Sequence, residues 1–79
     1  MDRVKEQFTF HAPKSAFPGR YTVYSPALER LVERECRKRG HDYGNTPVAH
    51  EFLTLLDETH PLPRARREGA DIRVTVYAD

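Results

Sequence analysis

Only one cysteine, Cys36, occurs among the 79 residues. A lone thiol forms no internal disulfide, so a small secreted scaffold held by bridges is not expected, and a reducing cytoplasmic compartment is. Long apolar runs are missing too. None approaches the roughly 20 residues that a membrane-spanning helix needs, and the segment Met1–Glu6 has no apolar stretch of signal-peptide type. An excess of charge of one sign is also absent. Lys and Arg number 13 against 12 Asp and Glu, and the net charge of +1 sets up no global field for nucleic acid or membrane. The glycines (Gly19, Gly40, Gly44, Gly69) are scattered, so no phosphate-cradling loop is present.

Metal-ligand spacing is lacking as well. The candidate ligands are His11, Cys36, His41, His50 and His60, but they form no CxxC, HxxxH or HExxH pair. No metal and no cofactor are therefore expected. Cys36 with a histidine base is formally a nucleophilic pair, but it falls late in a helical pattern at the edge of an apolar stripe, where thiols are inert. So short a chain also leaves little volume for a substrate pocket. These exclusions point away from an enzyme.

Positive signals come from periodicity. Phe8 and Phe10 alternate with Gln7, Thr9 and His11, which reads as a half-buried strand over Val4–Ala12, stopped by Pro13. After a proline- and glycine-bearing loop, Arg20–Tyr24 reads as a second strand, with Arg20, Thr22 and Tyr24 on one face. Ser25-Pro26 opens a helix expected to run to Arg39, with Gly40 as its left-handed cap and Leu28, Leu31 and Val32 as its apolar stripe. Thr46-Pro47 repeats that opening. Val48, Ala49, Phe52, Leu53, Leu55 and Leu56 then cover a wide arc, so a second helix is expected over 47–58, with Phe52 at its buried centre. Arg64–Gly69 reads as a basic connector. Ile72, Val74 and Val76 alternate with Arg73, Thr75 and Tyr77 in a final strand over Asp71–Ala78.

The expected architecture is one small α+β domain over residues 1–79. A three-stranded antiparallel sheet, in the order β-β-α-α-β, carries a helical hairpin on one face. The opposite face would present Arg20, Thr22, Tyr24, Arg73, Thr75 and Tyr77, a tyrosine- and arginine-bearing surface suited to binding a partner. A secondary basic patch would join Arg64, Arg66 and Arg67 to Arg39. On the first helix, Glu35 and Arg39 fall near the centre of the apolar stripe, so its second half is expected either to leave the core or to meet a partner there.

The expected function is that of a non-enzymatic protein-interaction module. A small inhibitor, adaptor or accessory regulator of phage or mobile-element type, binding a host macromolecule through its surface, fits the pattern. Two open sheet edges and a small core favour a homodimer. DNA is the second candidate partner. Tyr21-Thr22-Val23-Tyr24, Ser25-Pro26, Gly40 and Thr46-Pro47 give the segment Arg20–Asp57 an order that resembles the ribbon–helix–helix DNA-binding family. That resemblance covers about half the chain and implies a transcriptional repressor, with two chains pairing their strands so that Arg20, Thr22 and Tyr24 face bases.

Overall fold

The computed structural model describes residues 3–18, 25–53 and 62–78. Three strands, β1 (Val4–Ala12), β2 (Val48–Phe52) and β3 (Ala70–Tyr77), form one antiparallel sheet in the order β1-β3-β2. Among the described residues two helices accompany it, α1 (Pro26–Lys38) and α2 (Leu62–Glu68), with 3₁₀ turns at Lys14–Ala16 and Tyr43–Asn45. The architecture is α+β with a three-stranded antiparallel sheet, as the alternating patterns imply.

β3 lies at the centre because its inner face is the most apolar in the chain. Ile72, Val74 and Val76 are all fully buried. Burying each of these side chains contributes about 1.5–3 kcal/mol. Phe8 and Phe10 of β1 stand opposite Val74 and Ile72, and His50 and Phe52 of β2 stand opposite the same two residues from the other side. The register of β1 against β3 shifts between Val4 and Glu6.

α1 covers this inner face with Leu28, Val32 and Cys36, all fully buried. Ser25 caps its start, accepting a hydrogen bond at 3.1 Å from the Leu28 N–H, and Pro26 opens the helix. Gly40, at φ +85°, closes it. The His41 N–H bonds the Cys36 carbonyl and the Gly40 N–H bonds the Arg37 carbonyl, which satisfies two orphan acceptors of the last turn. α2 joins the same core through Ala65.

Three expectations are corrected. Of the helix expected over 47–58, the described residues 47–53 are not helical. Val48–Phe52 is a strand whose residues alternate half-buried and exposed, and β3 supplies the edge that draws it into the sheet. The two helices are therefore separated by β2 and form no helical hairpin, and Phe52 is half-buried on a strand. Arg64–Glu68 belongs to α2 and is not a bare connector. The second strand expected at Arg20–Tyr24 lies outside the described residues. The ribbon–helix–helix resemblance loses its second helix, since Thr46-Pro47 leads into β2.

Candidate interaction surface

β1, β3 and β2 present their alternate residues away from α1, and these build the open sheet face. Gln7, Thr9 and His11 come from β1, Asp71, Arg73, Thr75 and Tyr77 from β3, and Ala49 and Glu51 from β2. The period-two pattern thus places Arg73, Thr75 and Tyr77 together on one face, as expected. Arg20, Thr22 and Tyr24, assigned to the same face, lie outside the described residues.

Cross-strand pairs organise this face. The Gln7 side-chain amide donates to Thr75 Oγ1 at 3.0 Å, and His11 Nδ1 meets Asp71 Oδ1 at 2.9 Å. Arg73 Nε donates to Glu51 Oε1 at 2.8 Å, and its Nη2 reaches the same oxygen. Thr75 is buried beneath these neighbours, with 9% of its surface exposed. Exposed pairs of this kind contribute about 0.2–1 kcal/mol each. Their larger effect is to hold the side chains in fixed positions. Between β2 and β3 they leave a shallow recess of about 190 Å³ lined by Ala49, Glu51, Arg73, Thr75 and Tyr77, with His50 at its margin.

In the secondary basic patch, Arg64 and Arg39 each bond a carboxylate of their own. Arg64 donates to Glu68 Oε2 at 2.8 Å across one turn of α2, and both border a hollow shared with His11 and Asp71. Arg39 is engaged elsewhere. Its Nη1 donates to Glu35 Oε1 at 2.7 Å and to the Glu35 carbonyl at 3.1 Å, and its guanidinium stacks over Phe8. The unusual position of Glu35 and Arg39 on the apolar stripe is thereby resolved. Glu35 is buried, held below the ordinary carboxylate range by the Arg39 hydrogen bond against the opposing effect of burial. Lys38 adds a weaker contact at 3.6 Å.

The remaining reactive groups are occupied structurally. Cys36 is fully buried, and burial pushes its thiol up, opposite to what a nucleophile needs. His41 pairs with Glu6, tying the turn after α1 to β1. His50 is half-buried, and burial lowers its pKa, with Glu29 acting in the opposite sense. His60 lies outside the described residues. Among the described residues, no three of His, Cys, Asp and Glu gather as a metal-ligand set, and no helix is long and apolar enough to cross a membrane.

Two features escaped the sequence reading. Phe17, assigned to a loop, is buried and meets Phe52 ring to ring at 5.6 Å. Glu51, assigned to a helix face, is the partner of Arg73. A strand reading of Val48–Phe52 would have found the second. The chain matches no family model, no curated protein and no solved structure.

Proposed function

We propose that the protein is a non-enzymatic interaction module, a small inhibitor, adaptor or accessory regulator that binds another protein in the cytoplasm through its open sheet face. The observation that carries this reading is the recess between β2 and β3, where Tyr77 and the Glu51–Arg73 pair stand beside Thr75 and Ala49. Tyrosine and arginine join large contact areas to polar handles and dominate interface hot spots. Side chains already held by cross-strand partners lose less freedom when a partner binds.

A pull-down from lysate of the source cells, repeated with variants, tests the reading. A protein retained by the parent chain is expected to be lost with Tyr77→Ala and Arg73→Ala, each weakening binding by more than about 1 kcal/mol, and kept with Arg66→Ala. If Tyr77→Ala lowers the melting temperature and leaves retention intact, the sheet face is structural. Gel shifts with genomic DNA at two salt concentrations test the DNA-binding alternative, because phosphate contacts make affinity fall steeply with salt. The edges that β1 and β2 form among the described residues also support a homodimer. Sedimentation as a monomer at micromolar concentration removes that part of the proposal.

A further inference from the structure

A second surface lies across the core from the sheet face, where the 3₁₀ turn Lys14–Ala16 meets the outer side of α1. A cleft of about 350 Å³ opens there. Its apolar surface comes from Pro13, Ala16, Ala27 and Leu31, and Arg30 and Arg34 stand at its rim. Ala27 and Leu31 are only half-buried, so the apolar lining reaches solvent. The volume is at the small end of the range for ligand sites, about 300–1,000 Å³, and suits one or two side chains rather than a cofactor.

The cleft is built before anything enters it. Ser25 Oγ donates to the Ala16 carbonyl at 2.6 Å while capping α1 through the Leu28 N–H at 3.1 Å. One buried hydroxyl thus clamps the turn to the helix start and fixes the two walls. Little ordering is left for a ligand to impose.

The rim has a specific charge. Other cations of α1 have carboxylates: Arg37 meets Glu33 at 2.8 Å, and Lys38 and Arg39 share Glu35. Arg30 and Arg34 are exposed and make no ion pair among the described residues. They lie one turn apart along the helix, a rise of about 6 Å. Two guanidiniums so placed each offer a fork of donors for a carboxylate.

We infer that this cleft docks an acidic segment of a partner protein, inserting one aliphatic side chain between the turn and α1 while flanking carboxylates engage Arg30 and Arg34. An aliphatic anchor fits because, among the described residues, no aromatic side chain lines the cleft on which a nucleobase would stack. With one surface on each side of the core, the module can join two partners.

Selection of phage-displayed random dodecapeptides against the full chain tests the inference. The expected result is enrichment of Asp and Glu around a Leu, Ile or Met. A selected peptide, made synthetically, should bind in fluorescence anisotropy and shift the Leu31 methyl resonances. Binding should weaken about tenfold or more in the Arg30→Glu/Arg34→Glu variant, as loss of two charge-assisted contacts requires, with the thermal melt unchanged. Replacing the peptide's aliphatic residue with serine should abolish the Leu31 shifts. Selection of peptides without acidic residues, undiminished binding to the double variant, or displacement by a single-stranded oligonucleotide of equal affinity overturns it.

Discussion

Arg39, the C-cap residue of α1, holds its guanidinium 3.8 Å from the centroid of the Phe8 ring on β1. The same group bonds the buried Glu35 carboxylate at 2.7 Å, so one side chain both seals the edge of the core and neutralises the charge within it. Arg39→Ala is expected to cost about 1.5–3 kcal/mol in urea melts, from the lost ring contact and from a carboxylate left with Lys38 alone. Arg39→Lys should recover less than half, because an ammonium lacks the planar stack. A cost below about 0.5 kcal/mol for Arg39→Ala would show that Glu35 is satisfied without it.

Stability is expected to fall on acidification in two steps. Burial lowers the His50 pKa from its ordinary 6.5, so below that value the unfolded chain takes up a proton that the folded chain resists, and stability drops. The Glu35 carboxyl is held below its ordinary 4.5, so its contribution is complete above that value and is lost as pH falls through the lower folded value. Urea midpoints measured from pH 8 to pH 3 should show both steps. His50→Gln should remove the upper one and Glu35→Gln the lower one. A flat profile in the parent chain between pH 7 and 5 would contradict the assignment of His50.

Two glycines with positive φ should respond unequally to alanine. A Cβ at Gly69, φ +78°, would stand 2.3 Å from the Ala12 carbonyl oxygen and 2.8 Å from His11 Nε2. A Cβ at Gly40, φ +85°, meets nothing within 4 Å. Gly40→Ala should cost only the backbone strain, about 1 kcal/mol. Gly69→Ala should cost more than about 2 kcal/mol, since either β1 or the α2–β3 junction must move. Equal midpoints for the two variants would show that the junction yields freely.

Phe52→Ala should cost about 1.5–3 kcal/mol, less than a fully buried phenylalanine, because the ring is half exposed. Its contact with Phe17 makes the two positions interdependent. Phe17→Ala and Phe52→Ala are expected to be non-additive by at least about 0.5 kcal/mol in a double-mutant cycle. Strict additivity would separate the Phe17 turn from β2.

The elements that carry one unambiguous period were legible in the sequence. β1 has the same bounds in the structure as its alternation implies, β3 begins and ends one residue earlier, and the Ser25-Pro26 start and Gly40 stop of α1 are where the capping rules put them. Val48–Phe52 was not legible because its apolar residues satisfy two periods at once. Val48, His50 and Phe52 alternate, while Val48, Ala49, Phe52 and Leu53 fit a helical arc. The deciding interaction is non-local, since β3 has a second edge to fill. α2 was missed for the opposite reason. Among its described side chains only Ala65 is buried, too sparse a stripe for any period to show. At the candidate surface, the alternation of β3 set Arg73, Thr75 and Tyr77 on one face, but their partners Glu51 and Gln7 depend on register, which alternation alone does not fix.

The middle strand of the sheet follows both of its neighbours in sequence. β1 and β2 each bond to β3 and not to one another, so Phe8 waits for Val74 and Phe52 for Ile72. During synthesis the capping contacts of α1 are local, but β1 and β2 lack their β3 partner until residues 70–77 are made. Residues 70–77 must therefore leave the ribosome before this core can close, and Phe8 and Phe52 stay uncovered by β3 until then.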